Sequence, residues 1–266
     1  MRKKDALLML LHSPQVPSVL RLLANDVRWQ LLQALVYGDH RVQELTQLLD
    51  KPQNLVSYHL RKLREADLVT ERRSSADSRD VYYHLDLGRL QDRYVGLGKA
   101  LHPAIAANPS VTAPEVRMRT PTRILFLCTH NSARSQMAEA ILRARSWLPI
   151  EVFSAGNVPT AIHPLAVRTM QEIGIDMSQQ RTKHVDEFAG YGFELVITVC
   201  DRMREVCLTY PNDPQQIHWS IGDPADVQGS DEDRYQAFRK TAVELATRIH
   251  YLLLTMDMQL KEAQDG

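Results

Sequence analysis

The stretch that decides the fold of this chain reads Arg123-Ile-Leu-Phe-Leu-Cys128-Thr-His-Asn-Ser-Ala-Arg134-Ser135. The apolar run 124–127 is typical of a buried parallel strand, and a helix is predicted to begin at Ser135. The apolar face of that helix contains Met137, Ala138, Ile141 and Leu142. Strand, tight loop and helix therefore follow one another, with Cys128 at the end of the strand and Arg134 just before the helix.

This arrangement suits a thiolate that attacks a tetrahedral oxyanion. The N–H groups of the loop and the helix N-terminus would bind the oxyanion, and the helix dipole and Arg134 would favour the thiolate form of Cys128. Ser135 would donate a hydrogen bond to the sulfur. The alternative is a buried structural cysteine beside a surface arginine. The predicted oxyanion-binding residues are Thr129, His130, Asn131, Ser132, Ala133 and Arg134.

Three shorter motifs follow: Ser154-Ala155-Gly156 after a second predicted strand at 150–153, then Gly174-Ile175-Asp176, and then Asp223-Pro224. With the loop, they resemble the low-molecular-weight protein tyrosine phosphatases and the thioredoxin-coupled arsenate reductases of the same fold, over about residues 122 to 255. The resemblance implies an α/β domain with a central four-stranded parallel sheet. It also implies that Asp223 is the general acid, although Asp-Pro alone is only a turn signal. For Asn131 a simple role is available, which is to brace the loop.

The chain has three cysteines, Cys128, Cys200 and Cys207, all in its C-terminal half. Cys200 ends the apolar run 195–199. Because ligands bind at the carboxyl edge of parallel strands, Cys200 is expected on the same side as Cys128. In a helix, the spacing from Cys200 to Cys207 means a rise of about 10.5 Å, whereas a disulfide needs Cα atoms roughly 4.4 to 6.8 Å apart. A Cys200–Cys207 disulfide would therefore require local unwinding.

The resemblance to the arsenate reductases implies a relay of these three thiols. Cys128 would attack arsenate, a phosphate analogue, and Cys200 would then attack the adduct and release arsenite. Cys207 would take over the disulfide and present it to thioredoxin or a similar thiol reductant.

Two other functions stay open. A tyrosine phosphatase of this fold needs only Cys128 of the three cysteines, but such phosphatases tend to have an aromatic residue after Asp-Pro, where this chain has Ala225. Alternatively, the C-terminal half would be a non-catalytic oxyanion or redox sensor, with Cys200 and Cys207 as packed core thiols.

The sequence offers few metal ligands. No Cys pair or Cys/His cluster has zinc spacing, and no tightly bound cofactor is predicted. The resemblance implies that potassium can bind near the loop, where Asn131, Glu139 and Ser154 match the positions used. Two loop residues depart from the family's most familiar pattern. His130 stands where Gly, which adopts positive φ easily, is frequent, and Ala133 stands where some members have Cys.

Charge is unevenly divided along the 266 residues. Residues 1–120 carry 18 basic and 13 acidic side chains, and residues 121–266 carry 14 and 19, so the N-terminal half is the better candidate for a polyanion partner. The basic start is interrupted by Asp5, and no apolar stretch approaches the roughly 18 residues of a membrane span. Neither export nor membrane insertion is expected, and useful free thiols favour a cytoplasmic location.

The N-terminal half is predicted to contain helices followed by a hairpin. The apolar spacing predicts a helix from about 19 to 37, punctuated at Asn25-Asp26, and further helices at 41–49 and 54–66. Two alternating strands follow at 68–73 and 80–85, and a Pro-rich segment comes later. We therefore predict three segments: a winged helix-turn-helix domain at 1–105, a linker at 106–121 and a phosphatase-like arsenate reductase domain at 122–258.

A second resemblance rests on Leu-Ala-Asn-Asp-Val-Arg-Trp-Gln-Leu-Leu at 23–32 and Ser-Tyr-His-Leu-Arg-Lys-Leu-Arg-Glu-Ala-Asp-Leu-Val at 57–69. In the order helix, turn, helix, wing, these sequences resemble the ArsR family of winged-helix repressors over residues 15–100. The resemblance implies binding to double-stranded DNA as a homodimer, with the dimer formed by helices at about 5–23 and 88–101. The alternative is a basic amphipathic helix without a DNA partner.

In such a domain, amide side chains suit base edges in the major groove, and basic side chains suit phosphate. The predicted DNA-binding residues are Gln53, Asn54, Ser57, Tyr58, Arg61, Lys62, Arg73 and Arg79, with Arg72 beside them on the wing. Unlike family members that sense arsenite, this half has no cysteine pair. The sequence as a whole predicts an arsenic-resistance protein that fuses a mostly-α winged helix-turn-helix regulator to an α/β arsenate reductase.

Overall fold

The computed structural model describes residues 16–101, 121–205 and 212–265. By their packing, these residues form two compact units. The first contains residues 16–36, 42–70 and 85–101, and the second contains residues 37–41, 71–84, 121–205 and 212–265. Most of the expected linker and Cys207 lie outside the described residues, so the boundaries at 105 and 122 stay predictions.

The first unit is built from helices whose apolar residues recur at helical spacing. Its core contains leucines and a valine from three of these helices: Leu31, Leu35, Leu45, Val56, Leu60 and Leu63. The helices are α1 (Ser18–Leu23), α2 (Asp26–Tyr37), α3 (Val42–Leu49), α4 (Gln53–Glu65) and α5 (Leu87–Leu101). This order confirms the expected break at Asn25 and the short helix that precedes the basic one.

Helices α3 and α4 form a helix-turn-helix with a short connection at residues 50–52. Asp50 has a φ of 49°, in the left-handed region that Asp tolerates better than most residues. The N–H of Lys51 donates to the carbonyl of Thr46 at 3.2 Å and closes the end of α3. Pro52, which cannot donate a main-chain hydrogen bond, directly precedes α4.

Helix α4 has one buried and one exposed face. Leu55 was predicted inside, but it is only partly buried. His59 was not predicted inside, yet it is buried because it lies three residues after Val56 on the same face. The exposed face contains the residues predicted to read base edges or phosphate, namely Gln53, Asn54, Ser57, Tyr58 and Arg61.

A small sheet contains strands β1 (His40–Arg41), β2 (Val69–Arg73) and β3 (Val81–Leu85) in the order β1-β3-β2. The two-residue β1, which was not predicted, pairs antiparallel with β3 and places His40 opposite Tyr83. Strands β2 and β3, with residues 74–80 between them, form the hairpin that we call the wing. Residues 71–84 of the wing belong to the second unit.

The main sheet of the second unit contains four parallel strands in the order β5-β4-β6-β7. The strands are β4 (Thr122–Leu127), β5 (Ile150–Ala155), β6 (Leu195–Thr198) and β7 (Gln215–His218), and the helices are α6 (Arg134–Arg145), α7 (Pro164–Glu172), α8 (Asp201–Glu205) and α9 (Asp231–Asp265). Short 3-10 helices span Val185–Phe188 and Pro224–Asp226. This confirms the predicted α/β architecture.

Register within this sheet brings the two described cysteines to one edge. Leu127 of β4 lies opposite Thr198 of β6, and the N–H of Val199 donates to the carbonyl of Leu127 at 2.8 Å. Cys128 and Cys200 therefore leave the carboxyl ends of neighbouring parallel strands. None of the helices in the described parts of the chain is both long and apolar enough to cross a membrane.

Candidate active site and DNA-binding surface

The Cys128 sulfur is held among hydrogen-bond donors, and the residue is only 2% exposed. Its Sγ lies 2.9 Å from Oγ of Ser135, and the main-chain N–H of Asn131 donates to it at 3.2 Å. Oγ of Ser135 also accepts a hydrogen bond from Nδ2 of Asn131 at 2.9 Å. Because that bond occupies a lone pair of the Ser135 oxygen, the hydroxyl proton is free to point at the sulfur, as expected for a thiolate partner.

Asn131 braces the loop from inside and is completely buried. Its Nδ2 also donates to Oγ of Ser154 at 2.9 Å. Its Oδ1 accepts from Nε2 of Gln136 at 2.9 Å and from the N–H of Lys183 at 2.8 Å. Asn131 has a φ of 47° and is the loop residue with a left-handed backbone. The backbone demand that drew attention to His130 therefore falls on its neighbour.

The outer side of the loop is tied to residues 156–163. The carbonyls of Thr129, His130 and Ser132 accept main-chain hydrogen bonds from residues 158, 160 and 163 at 2.9 to 3.0 Å. In a trans peptide the N–H points opposite to the C=O, so the N–H groups that follow these carbonyls face the inside of the loop. This is the arrangement that an oxyanion requires.

Gly156 lets the chain pass close behind the loop. A Cβ at this position would lie 2.6 Å from the carbonyl oxygen of Thr129 and 2.8 Å from that of Cys128. Its N–H donates to the carbonyl of Lys183 at 3.0 Å. Any side chain at 156 would therefore displace the loop itself.

Arg134, the first residue of α6, points its guanidinium at Asp223. It donates a charge-assisted hydrogen bond to Oδ2 of Asp223 and another to the carbonyl of Ile221 at 2.8 Å. Asp223 also accepts from the N–H of Ala225 at 3.1 Å and so begins the 3-10 helix Pro224–Asp226. The predicted oxyanion ligand and the predicted general acid are brought together in this way.

Cys200 is buried and lies next to the loop. Its Sγ is 3.4 Å from Oγ1 of Thr129. Burial raises the pKa of the Cys200 thiol above its usual value of 9.0, and the negative charge of a Cys128 thiolate raises it further. Arg134, the Thr129 hydroxyl and the N–H of Met203 act in the opposite direction. The Cys200 thiol therefore lies against Thr129, the residue that directly follows Cys128.

A buried carboxylate supports the loop from the far side of Asn131. Glu139 accepts a hydrogen bond from Oγ of Ser154 and pairs with Arg143. The ammonium of Lys183 lies 3.2 Å from its Oε2. Glu139 and Ser154 were both expected near a potassium ion, and in the structure a lysine charge lies beside that carboxylate. In the described parts of the chain, no cluster of His, Cys, Asp or Glu has the makings of a metal site.

The family model described as low molecular weight phosphotyrosine protein phosphatase matches residues 123–264, more than half of the chain. The chain belongs to this family. A second model, described as bacterial regulatory protein, arsR family, matches residues 25–71. Both resemblances drawn from the sequence are thus confirmed.

Several relatives of this phosphatase family member are named arsenate reductases. One from Halalkalibacterium halodurans is 39% identical over 126 residues, which is 47% of this chain and 91% of the relative. One from Bacillus subtilis is 36% identical with the same coverage. A solved structure described as an arsenate reductase in the phosphate binding state is 27% identical and covers 50% of this chain and 98% of its own, with a TM-score of 0.42.

The loop has three supports that the sequence alone did not single out. Gln136 and Lys183 bind the Asn131 side chain, and Gly156 was noted only as part of a motif. Gln136 follows the loop directly, so its position could have suggested a role, whereas Lys183 lies 52 residues after Asn131 and gave no signal. Cys207 lies outside the described residues.

The three arginines predicted on the wing differ in exposure and in their hydrogen-bond partners. Arg73 is exposed and donates to the carbonyl of Ser78 at 3.0 Å. The Arg79 side chain is 88% exposed and pairs with Asp77. Arg72 was expected to contact phosphate with them, but in the structure it points to a partner within the chain. Its guanidinium is engaged with the buried carboxylate of Asp201.

Proposed function

We propose that this chain is a bifunctional arsenic-resistance protein, in which an arsenate reductase domain is fused to a DNA-binding transcriptional regulator. The observation that carries the reductase half is the position of Cys200. A second buried thiol lies beside the Cys128 loop, and Thr129 is hydrogen-bonded to it. A phosphatase has no use for a thiol at this place, whereas two-electron reduction requires one.

The proposed chemistry begins when the Cys128 thiolate attacks the arsenic of arsenate. An S–As bond forms, and one arsenate oxygen leaves as water after accepting protons, one of them from Asp223. The N–H groups of the loop and the guanidinium of Arg134 would hold the remaining oxygens. For this, Arg134 must redirect a hydrogen bond of its guanidinium from Asp223 to the oxyanion.

In the second step the Cys200 thiolate attacks the Cys128 sulfur. An S–S bond forms, the S–As bond breaks, and its electron pair stays on arsenic, so As(V) becomes As(III) and arsenite leaves. The Cys207 thiolate then attacks Cys200, which yields a Cys200–Cys207 disulfide and a free Cys128 thiolate. A dithiol reductant of the thioredoxin type would restore both thiols, and a reducing cytoplasm suits this cycle.

The runner-up is a phosphatase that uses Cys128, Arg134 and Asp223 on a phosphate ester. The third possibility is a repressor whose C-terminal domain binds an oxyanion without turnover.

Two assays of the full-length protein distinguish these three functions. One contains arsenate, thioredoxin and thioredoxin reductase, and the other contains p-nitrophenyl phosphate. We expect NADPH oxidation that depends on arsenate. Hydrolysis without arsenate reduction would favour the phosphatase, and neither activity would favour the sensor.

Cysteine variants sharpen this assay. Cys128→Ser should remove both activities, because a serine hydroxyl is scarcely ionised at neutral pH. Cys200→Ser should remove arsenate reduction but leave ester hydrolysis largely intact. Equal arsenate reduction by wild-type protein and a folded Cys200→Ser variant would reject the relay.

For the N-terminal half we propose that α4 and the wing bind duplex DNA. The chain would bind as a homodimer. Support comes from the arsR-family match, the short helix-turn-helix connection and the exposed polar face of α4. Gln53→Ala or Asn54→Ala should relax sequence preference, and Arg61→Ala should weaken binding to all sequences. Ser57, Tyr58, Lys62, Arg73 and Arg79 complete the proposed surface.

Gel shifts with full-length protein over a salt series test this half. Affinity should fall steeply as salt rises, because phosphate contacts release counterions. Absence of duplex binding at low salt would reject the regulator.

A potassium ion near Glu139 was expected from the sequence, and no observation tests that expectation. We propose that the Lys183 ammonium, rather than potassium, supplies the positive charge beside the Glu139 carboxylate.

A further inference from the structure

Asp201 directly follows Cys200 and is bound by the wing. Nη2 of Arg72 lies 2.7 Å and 2.5 Å from the two carboxylate oxygens of Asp201. The main-chain N–H of Ser75 donates to Oδ2 at 2.8 Å, and its hydroxyl does so at 3.1 Å. Residues 71–84 of the wing belong to the same compact unit as Asp201. Two wing residues therefore hold the first residue of α8.

The opposite side of this carboxylate is held by β7 and the segment after it. Oγ of Ser220 donates to Oδ1 of Asp201 at 2.7 Å, and Nε2 of His218 lies 3.2 Å from the same atom. Burial raises the pKa of Asp201, but hydrogen bonds from His218, Ser75 and Ser220 and the charge of Arg72 outweigh it, so the pKa is lowered. An ionised Asp201 can only accept, so His218 presents a protonated Nε2.

Arg72 also donates hydrogen bonds to a residue other than Asp201. Its Nε donates to the carbonyl of Ser220 at 2.9 Å, and Nη2 donates to the Ser220 hydroxyl. The guanidinium thus spans α8 and the chain after β7 with a planar set of donors that no other side chain offers. Asp201 is fully buried, so loss of this partner would leave an ion with fewer donors and would shift α8.

A shift of α8 would change the hydrogen bonding of the Cys200 sulfur. Helix α8 begins at Asp201, and the N–H of Met203 in its first turn is directed at the Cys200 sulfur. This N–H stabilises the Cys200 thiolate, the form that must attack the Cys128 sulfur. Within residues 16–101, 121–205 and 212–265, the charged and titratable groups that act on Cys200 are Cys128 and Arg134, and neither belongs to the wing. Arg72 therefore reaches Cys200 through Asp201.

We propose that Arg72 and Ser75 of the wing are positioning residues for Cys200, so that the wing and the second thiol step are coupled. This rests on the proposed relay. Coupling of this kind is reciprocal, so any partner that displaces the wing also changes the reactivity of Cys200. The arginine that was expected to bind phosphate serves the reductase site instead.

Two variants of the full-length protein test the proposal. Arg72→Met removes the guanidinium but keeps an apolar stem, and Arg72→Lys, the milder change, keeps the charge without the fork of donors. Ser78→Ala, on an exposed part of the same wing, is the matched control. Hydrolysis of p-nitrophenyl phosphate, which needs only Cys128 of the three thiols, reports whether each variant folds.

Arsenite release in a single turnover should slow about tenfold in Arg72→Met and less in Arg72→Lys, with ester hydrolysis unchanged. With Cys128→Ser and Cys207→Ser also present, Cys200 is the sole thiol, and its thiolate absorbance at 240 nm should appear at higher pH in both Arg72 variants than in Ser78→Ala. An identical Cys200 titration in all three overturns the proposal. If Arg72→Met fails to fold, Arg72→Lys alone decides. If wild-type protein reduces no arsenate, the relay fails, but the titration still decides whether Arg72 positions Cys200.

Discussion

The guanidinium of Arg134 is hydrogen-bonded to the carboxylate of Asp223, so the two charged residues at the mouth of the loop neutralise each other. The Arg134 side chain is nearly buried, and Asp223 is partly exposed. An oxyanion that enters the loop must compete with Asp223 for this guanidinium. Once Arg134 has turned to the oxyanion, the Asp223 carboxylate can take up a proton from solvent and deliver it to the leaving oxygen.

This competition predicts opposite effects on binding and turnover for Asp223→Asn. Inorganic phosphate should inhibit the variant at several-fold lower concentration, because a negative charge has been removed from Arg134. Hydrolysis of p-nitrophenyl phosphate should fall by roughly 10² to 10⁴, since the general acid is lost. Asp226→Asn, on the exposed side of the same turn, is the control. Unchanged hydrolysis in Asp223→Asn would remove Asp223 from the mechanism.

Gly156→Ala should damage the loop without replacing a proposed catalytic side chain. The added methyl would lie 2.6 Å from the carbonyl of Thr129, a distance that only a shift of the loop can relieve. We expect a loss of about 1–3 kcal/mol in stability and a fall of ester hydrolysis by at least tenfold. Gly192→Ala, whose new methyl would meet only ordinary contacts at 3.7 to 3.8 Å, should behave like wild type. Urea unfolding and kcat measure both effects, and equal behaviour of the two variants would contradict the account.

Much of this fold could be predicted because its signals are local. The apolar run before Cys128 and the helix after Arg134 fix a strand-loop-helix unit within 25 residues of sequence. Cys200 was expected on the same side as Cys128 because it ends an apolar run, and the carboxyl ends of parallel strands lie at one edge of a sheet. The expected partnership of Ser135 with the Cys128 sulfur also has its counterpart at 2.9 Å.

The supports of the site could not be predicted because they join distant segments. Asn131 meets Lys183 across 52 residues, and Arg72 meets Asp201 across 129. The sequence around Arg72 does not show whether this arginine pairs with a buried carboxylate or binds a DNA phosphate. His130 attracted attention as a departure from Gly, yet the left-handed residue is Asn131, whose side chain compensates for the backbone cost.

Lys183 predicts how the protein responds to potassium. Because its ammonium lies 3.2 Å from Glu139, wild-type activity should be nearly independent of potassium. Lys183→Met leaves the buried Glu139 carboxylate with one charged partner fewer and should cost about 1–3 kcal/mol. Potassium should then restore part of the loss, whereas sodium should restore less. Lys240→Met, at an exposed position on α9, serves as control. Strong potassium dependence of the wild-type enzyme would show that Lys183 does not fill this role.

The Cys200 thiol should titrate above its usual pKa of 9.0, because burial and then the Cys128 thiolate disfavour its charged form. In a Cys207→Ser background, Cys128→Ser removes the repelling charge, so the Cys200 titration should move to lower pH. The raised value also means that the folded protein keeps this proton longer than the unfolded chain, so its contribution to stability falls as pH rises above 9.0. Absorbance at 240 nm measures the thiolate. A Cys200 titration midpoint that is unchanged by Cys128→Ser would show that the Cys128 charge does not act on Cys200.

The relay is tested most directly by mapping the cysteines after one turnover. Reduced full-length protein is mixed with arsenate in the absence of thioredoxin, quenched with an alkylating agent, digested and analysed by mass spectrometry. We predict that arsenite appears in proportion to a Cys200–Cys207 disulfide, and that Cys207→Ser stops at a Cys128–Cys200 disulfide. Recovery of Cys200 and Cys207 as alkylated free thiols after arsenate exposure, with no arsenite formed, would contradict the central claim.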